Sequence, residues 1–344
     1  SILKGNPKPR KMLFNMDEGN AEDYLDVTVD INGLTGNYHV GELASYGENK
    51  ESNGSLKSEN DMLLVCMMTS IAYALAAEYP KDDSFDITLG TGLPVQEFFW
   101  INEKGDYDFS KVDRFKEKLA GNHKVKFNTT LLDNRSISVR LSERDIIIRP
   151  EGYAALSSIL TADNADFDFA QYTQRNSLVM GLDIGSVSCD VSAMINNKYF
   201  AKGIFGLDIG MSYALDAICA ELRHRTGVSD ITRQEVNKHL FDKELKGMYR
   251  SAKMVFDLNE IKMPYYKDLA SIIVHRFREK LRDNDIDIHR IKVLFIIGGG
   301  SVEIGNLIID RLKDDIPEFV MFNSEEARTS NLTGYNLSME ETAI

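Results

Sequence analysis

The segment LVMGLDIGSVSCDV, residues 178–191, places aspartates and serines around a short glycine turn between two apolar runs. Leu178–Ile184 is predicted to form a buried strand, and Cys189–Ile195 its antiparallel partner. Asp183 stands at the tip of the first strand, where a carboxylate can hold a divalent cation through water. A plain hairpin with a capping aspartate fits the same residues, so the pattern taken alone leaves both interpretations open.

The turn of this hairpin offers successive backbone N–H groups within a short bend. Such a bend forms a concave site for an anion, and a phosphate group is the expected occupant. The four residues that would form the cradle are Gly185, Ser186, Val187 and Ser188.

A second pattern, VLFIIGGGSVEIGNLI, covers residues 293–308. Five apolar residues lead into Gly298, Gly299 and Gly300, and Ser301 is the expected N-cap of a following helix. Glycines allow close approach of the backbone to a ligand, and a helix N-terminus favours anionic groups. The spacing is not GxGxxG, which disfavours a Rossmann dinucleotide site. A tight strand-to-helix crossover is the alternative.

A third pattern is IIIRPEGYAAL, residues 146–156, in which Glu151 follows a strand and Pro150 at the first turn of a helix. A carboxylate there is stabilised by the helix dipole, which is the more common role for such a residue. The functional interpretation is a base that orients a hydrolytic water during phosphoryl transfer.

Composition limits the possible functions. The 344 residues include 40 Lys plus Arg against 53 Asp plus Glu, a net charge of -13, which disfavours direct binding to nucleic acid. No apolar run approaches the length of a membrane span, and the start does not resemble a signal peptide. The three cysteines lie in apolar stretches without CxxC spacing, so we expect free thiols, no zinc site, and a cytoplasmic protein.

The elements that would position these residues alternate between strands and helices, which predicts an α/β protein. YLDVTVDING and NYHVGELA form a hairpin around Asn32-Gly33, and DMLLVCMMTSIAYALAAE is a long helix stopped by Pro80. FDITLGTGLP is predicted as a buried strand followed by a glycine-proline loop, and YKDLASIIVHRFREKLRD as an amphipathic helix. The opening residues SILKGNPKPRKM resemble a loop.

The order of the motifs resembles the actin/sugar kinase/Hsp70 superfamily. RPEGYAAL, then the LDIGSxxxD hairpin, then GLDIGMSYALDAI, then IIGGGS are similar to the bacterial actin-like plasmid-partition ATPases of the ParM/StbA type, and FDITLGTGLPVQEFF adds to the likeness. The resemblance covers roughly residues 85–335. It implies an actin-like, ribonuclease H-like fold in which two domains with mixed sheets and flanking helices clamp a nucleotide.

The resemblance also implies residue roles. Glu151 would position the attacking water, and Asp183 would order the water shell of Mg²⁺. Gly185 to Ser188 would cradle the β- and γ-phosphates of ATP or GTP, while Gly298, Gly299, Gly300 and Ser301 would border adenosine. The implied domains are 1–180, with a small lobe near 12–65, and 181–344, with a small lobe near 211–285 and a C-terminal helix packing back on the first domain.

One part of the superfamily pattern is missing. A first phosphate hairpin of the form D-x-G would precede Met12, and no residue before it supplies one. Because the chain opens on Ser1 rather than Met, we expect that the native N-terminus was removed or left out. Absence of that hairpin would weaken ATP binding and put hydrolysis and polymerisation in doubt.

The favoured function is an ATPase that forms filaments with ATP and segregates plasmid DNA through a basic DNA-binding adaptor protein, without touching nucleic acid or membrane itself. Two alternatives stay open. One is a sugar or acetate-type kinase of the same superfamily, and the other is an actin-like scaffold that binds nucleotide without hydrolysing it.

Overall fold

The computed structural model of the protein describes residues 2–4, 24–41, 44, 56–101, 107–129, 132, 134–161, 177–196, 198–242, 244–251, 254–322, 331–336 and 338–339. The chain divides into two compact units. Unit 1 comprises Ser1–Leu93, Glu97–Ile148 and Ser338–Ile344, and unit 2 comprises Pro94–Gln96 and Arg149–Leu337. The main division therefore follows residue 148, whereas the sequence suggested residue 180.

Unit 1 is built on a six-stranded sheet in the order β1-β3-β2-β8-β9-β4, with two-stranded sheets β10-β5 and β6-β7 beside it. Its strands are β1 (Ile2–Lys4), β2 (Tyr24–Ile31), β3 (Leu34–Gly41), β4 (Ser84–Asp86), β5 (Leu89–Leu93), β6 (Trp100–Ile101), β7 (Tyr107–Asp108), β8 (Gly121–Phe127), β9 (Ser136–Leu141) and β10 (Ile146–Pro150, whose last two residues belong to unit 2). Its helices are α1 (Asp61–Glu78), α2 (Val95–Phe98, which begins within unit 2) and α3 (Ser110–Leu119).

The predicted hairpin around Asn32-Gly33 is confirmed as β2 and β3. Both turn residues have positive φ, 49° and 84°, which Asn and Gly accommodate best. The Asn32 amide donates to the carbonyls of Lys118 and Ala120, so this turn also satisfies the C-terminal end of α3.

Two local predictions for unit 1 are wrong. Residues 2–4 form β1, an edge strand paired with β3, although the sequence around them resembled a loop. The glycine-proline loop predicted within FDITLGTGLP contains a second strand, β5, which belongs to a different sheet from β4.

The expectation that no apolar run approaches a membrane span is corrected here, because helix α1 is long and apolar enough to span a membrane by length and composition. Its composition is accounted for by packing, because the helix lies against β2, β8 and β9. The side chains that it buries in unit 1 are Leu64, Val65, Met68, Thr69, Ala72 and Ala76.

Unit 2 is built on a mixed sheet in the order β13-β12-β11-β17-β18, with β14 paired to β12. Its strands are β11 (Leu178–Ile184), β12 (Cys189–Ile195), β13 (Lys198–Tyr199), β14 (Phe205–Leu207), β15 (Met248–Ser251), β16 (Met254–Asp257), β17 (Ile291–Ile297) and β18 (Phe319–Met321). Its helices are α4 (Tyr153–Thr161), α5 (Met211–Thr226), α6 (Arg233–Phe241), α7 (Leu258–Asp283), α8 (Ser301–Leu312) and a C-terminal helix over 331–336.

The pleat of the unit 2 sheet sorts its residues into two layers. Alternate residues of β11, such as Leu182 and Ile184, join α5, α7 and α8 in one apolar core. The intervening residues face the other way, where Val179 packs with Ala155 and Leu156 of α4. Asp183 belongs to this second set, so its carboxylate lies on the α4 side of the sheet.

The helix predicted from Tyr266 to Asp283 begins two turns earlier, at Leu258. Asp257 caps it by accepting a hydrogen bond from the Asn259 N–H. The free cysteines agree with the sequence, since Cys189 and Cys219 are buried and Cys66 is partly so.

Candidate functional site

Two aspartates face each other at the tip of the β11–β12 hairpin. The predicted hairpin is confirmed, and its antiparallel register pairs Asp183 directly with Asp190. Both side chains are buried, with exposed fractions of 8% and 5%. Like charges directly opposite each other destabilise a sheet, and burial adds to the cost. The pair is therefore costly to the folded protein unless a ligand compensates its charge, which makes it a candidate functional site.

Each aspartate has a neutral hydrogen-bond donor from a distant part of the chain. The Asn331 side chain donates to Asp183 Oδ2 at 2.6 Å. The Val95 backbone N–H donates to Asp190 Oδ1 at 2.9 Å. Neither of these two donors carries a positive charge.

The turn between the two strands is held from below by helix α5. Gly185 N–H donates to the Ser188 carbonyl, which closes the turn. The N–H groups of Met211 and Ser212, at the start of α5, donate to the carbonyls of Gly185 and Ser186 at 3.1 and 2.7 Å. The first turn of α5 is therefore satisfied by the hairpin turn itself.

The opposite side of this turn presents donors to solvent. Ser186 and Val187 are exposed. Within the described part of the chain, the backbone N–H groups of Ser186, Val187 and Ser188 have no hydrogen-bond acceptor. The sequence prediction of an anion cradle at residues 185–188 therefore has suitable geometry here, and occupation by phosphate stays a prediction.

The glycine bend after β17 packs against the same hairpin. β17 lies parallel to β11, with Asp183 paired to Ile297. A Cβ at Gly298 would lie 2.1 Å from Asp183 Oδ1, and one at Gly300 would lie 2.5 Å from the Ile184 side chain. Close packing thus accounts for these two glycines. Gly299 is exposed at the same end of the sheet, where a ligand can reach it.

Ser301 does not cap α8 as predicted. The N-cap position is Gly300, and Ser301 is the first helical residue. The Ser301 hydroxyl is buried and donates to the Gly298 carbonyl at 2.7 Å. Its role in the structure is therefore to stabilise the glycine bend, so a direct contact with adenosine stays a prediction.

Glu151 lies beside the two aspartates, in a turn that precedes α4 rather than within its first helical turn. Gly152 follows with φ of +70°, and a Cβ on it would contact Cβ of both Asp183 and Asp190 at 3.5 Å. Its carbonyl accepts a bond from the buried Ser192 hydroxyl at 3.2 Å. The turn is thereby fixed onto the α4 side of the hairpin.

The environment shifts the protonation of this cluster. Burial raises the pKa of Asp183 to about 6; the Asn331 hydrogen bond opposes that rise, and the negative charge of Glu151 adds to it. The pKa of Tyr335, on the C-terminal helix, is raised by burial and by the charges of Glu151, Asp183 and Asp190. The Tyr335 hydroxyl therefore stays protonated beside three carboxylates.

A partly buried ion pair lies next to the glycine bend. Lys262 Nζ of α7 and Glu303 Oε2 of α8 are 2.9 Å apart, and each side chain is 16% exposed. Lys262 Nζ also lies 5.4 Å from the centre of the Tyr266 ring. The pair fixes the first turns of α7 and α8 against each other.

The carboxylates of this site can be compared with the ligands that a magnesium ion requires. No cluster of three side chains suited to direct coordination occurs within the described residues. Asp183 with Glu151 and Asp190 does supply hard oxygen acceptors, the type of ligand that Mg²⁺ prefers while it keeps most of its own waters. The residues thus fit a water-held ion and do not form a closed metal cage.

Reasoning from the sequence missed Asp190, Val95 and Asn331. Asp190 had a signal, since it lies seven residues after Asp183 across a four-residue turn, which places the two opposite each other. Val95 and Asn331 had none, because a backbone donor and a remote amide are brought to the aspartates only by the tertiary structure.

Two protein-family models match separate segments of the chain. Residues 5–153 match the family of actin like proteins, N terminal domain, and residues 181–310 match the archaeal actin homologue MreB-like family, C-terminal. No curated protein sequence matches the chain.

Solved structures show the same fold. Ta0583, an archaeal actin homolog, is 20% identical with a TM-score of 0.68, covering 94% of this chain and 90% of its own. A non-polymerisable quadruple mutant of pCBH ParM is 18% identical with a TM-score of 0.73, covering 99% and 91%. Bacillus thuringiensis ParM with AMPPNP is 17% identical with a TM-score of 0.66, covering 100% and 90%. The predicted actin-like fold, with mixed sheets and flanking helices, is confirmed.

Proposed function

The chain is an actin-like protein, and from that premise we propose that it is a cytoplasmic ATPase that assembles into filaments with nucleotide and moves plasmid DNA through a basic adaptor protein. One observation carries the proposal: buried, opposed carboxylates lie beneath a turn with three unpartnered N–H groups in the described chain. A nucleoside triphosphate bound with Mg²⁺ requires hydrogen-bond acceptors for the waters of the ion and hydrogen-bond donors for its phosphate oxygens.

The roles follow from position. The N–H groups of Ser186 to Ser188 bind phosphate oxygens, and Asp183 accepts hydrogen bonds from the water shell of the ion. Glu151 orients the attacking water and accepts its proton. Mg²⁺, when bound with the nucleotide, supplies charge neutralisation for the transferring phosphoryl group. Most of the catalysis is then positioning and electrostatics, so few residues are needed.

Adenosine is placed along the glycine bend, residues 298–301, beside the Lys262–Glu303 pair. Bacillus thuringiensis ParM has been solved with ATP, ADP and AMPPNP, which supports an adenine nucleotide over GTP. The net charge of -13 supports an adaptor, because an acidic surface repels DNA and attracts a basic protein. A ParM mutant described as non-polymerisable supports filament assembly in related folds.

Sedimentation with and without Mg·ATP tests the proposal, with phosphate release measured in the same samples. We expect pelleting that depends on ATP and is followed by phosphate release. Nucleotide binding without turnover or pellet would replace the proposal with a scaffold. Phosphorylation of a sugar or a carboxylic acid without polymer would replace it with a kinase.

A further inference from the structure

The C-terminal helix reaches the candidate site through one side chain. The Asn331 amide donates to Asp183 Oδ2 at 2.6 Å, and its Oδ1 accepts a bond from the Gly152 N–H at 2.9 Å. An amide offers donor and acceptor at the same end of a short side chain, and its charge does not change with pH. Among the side chains of its length, only asparagine can make both of these bonds without taking up a proton.

These two bonds join the candidate catalytic groups. Gly152 directly follows Glu151, so the backbone that carries Glu151 is connected to the carboxylate of Asp183 through a single amide. Gly152 has φ of +70°, a conformation that residues with side chains rarely adopt, and it lies against Asp183 and Asp190. Asn331 thereby fixes the separation between the two acids.

The C-terminal helix that carries Asn331 packs closely against α4. A Cβ at Gly334 would lie 1.9 Å from the Ala154 carbonyl oxygen, so the helix backbone touches the first turn of α4. Tyr335 is half-buried next to Glu151, Asp183 and Asp190, whose charges raise its pKa. The position of Asn331 is thus determined by backbone packing on one side and by a ring on the other.

We propose that Asn331 is a positioning residue for nucleotide hydrolysis, holding Glu151 and Asp183 at a working distance and making the C-terminal helix part of the site. The inference rests on the proposed function. Its consequence is that ligand binding at Asp183 stabilises residues 331–336, and that loosening those residues slows the chemical step more than it weakens binding.

The first test separates rate from affinity. Asn331→Leu removes both bonds at similar volume, and we expect phosphate release to fall about 10- to 100-fold, the size expected for misplaced reacting groups. The dissociation constant for Mg·ATP should change less than about threefold. Asn336→Asp, on the exposed side of the same helix, is the matched control and should retain both values. A wild-type rate in Asn331→Leu, or a loss explained by affinity alone, would overturn the proposal.

The second test needs no nucleotide. Asn331→Asp places a carboxylate against Asp183 and should lower the unfolding midpoint at neutral pH more than Asn336→Asp does. Adding Asp183→Asn to Asn331→Asp exchanges the partners: the amide now at 183 donates to the carboxylate now at 331, which still accepts the Gly152 N–H. The double variant should recover the midpoint, and lack of recovery would refute the pairing.

Hydrogen exchange on the wild-type chain completes the design, because it requires no variant to fold. Mg·ATP should slow exchange of the amides of 331–336, and unchanged exchange in protein that binds nucleotide would contradict the coupling. If the wild-type protein binds no nucleotide, the proposed function fails and the coupling to hydrolysis fails with it. The unfolding midpoint of the double variant Asp183→Asn with Asn331→Asp would still decide whether Asn331 pairs with Asp183 and Gly152.

Discussion

Asp183 and Asp190 occupy opposite positions on adjacent antiparallel strands, and both are buried; Asp183 accepts a hydrogen bond from the Asn331 amide, and Asp190 accepts one from the Val95 N–H. The pair is held by one amide and one backbone N–H. This arrangement reduces the stability of the protein without ligand, and the loss can be measured.

Asp183→Asn should stabilise the nucleotide-free protein at neutral pH. The pKa of Asp183 in the folded chain is about 6, against about 3.9 for an ordinary aspartate, so folding favours its protonated form. The resulting stabilisation is complete below about pH 4 and is lost as the pH rises through about 6, a difference of about 3 kcal/mol. The variant has no carboxylate to ionise at this position. Its free energy of unfolding in urea should therefore exceed that of wild type by about 3 kcal/mol at pH 7 and equal it near pH 4.

The control for this prediction is Asp230→Asn, which alters an exposed aspartate of unit 2. Its difference from wild type should not grow between pH 4 and pH 7. A constant difference for Asp183→Asn over the same range would show that Asp183 titrates normally. The stabilised variant should also lose Mg·ATP binding, since its amide cannot hold the water shell of the ion as a carboxylate does.

Gly210→Ala should disturb the turn at residues 185–188, because Gly210 packs against it at the start of α5. A Cβ at this position would lie 2.7 Å from the carbonyl oxygens of Gly185 and Ser186, the two groups that accept from the start of α5. Gly210 has φ of -152°, which alanine adopts easily, so the effect isolates the clash. We expect a loss of about 1–3 kcal/mol in unfolding free energy and weaker binding of Mg·ATP.

Ser212→Ala provides the comparison, because it removes a hydroxyl and keeps the N–H that bonds to Ser186. Its stability and nucleotide affinity should match wild type. Equal behaviour of the two variants would mean that the packing of α5 against the turn is unimportant for binding.

Glu151→Ala should separate assembly from hydrolysis. Filaments should still pellet with Mg·ATP, while phosphate release slows by about tenfold or more through loss of a water-orienting base. Glu143→Ala, an exposed glutamate of unit 1, controls for the loss of one negative charge. Phosphate release at the wild-type rate would remove Glu151 from the mechanism.

Asn32→Gly should destabilise unit 1 by about 1–2 kcal/mol. Glycine accepts the positive φ of this turn, so the variant removes only the two hydrogen bonds to the end of α3. Asn134→Gly is the matched control, since Asn134 also has positive φ and its side chain makes no hydrogen bond to any described residue. Chemical unfolding should place the control within about 0.5 kcal/mol of wild type.

Local periodicity was sufficient to predict most of the elements. The alternation in β2 and β3 and the apolar run of β11 each depend on neighbours within a few residues, and both predictions are confirmed. The start of α7 was missed, since the apolar pattern is weak over its first two turns and Asp257 caps a helix that continues through Pro264.

The candidate site was predictable where its chemistry lies on one hairpin. Asp183 and the turn at 185–188 were identified because strand, acid and glycine follow one another in the sequence. Ser301 was assigned the wrong structural role, because its hydroxyl bonds back to Gly298 instead of capping α8. Asn331 could not be identified, since only the tertiary structure shows that its partly buried amide lies beside Asp183.

The alternation along β11 and β12 also restricts how this sequence can diverge. Asp190 and Cys189 lie on opposite faces of one strand, and their placement is set by the four residues between Ile184 and Cys189. Inserting or deleting one residue there would turn the carboxylate into an aliphatic layer and the thiol toward Gly152. The length of the turn is therefore restricted, and so is its first residue, because a Cβ at Gly185 would lie 2.8 Å from the Ser188 carbonyl oxygen.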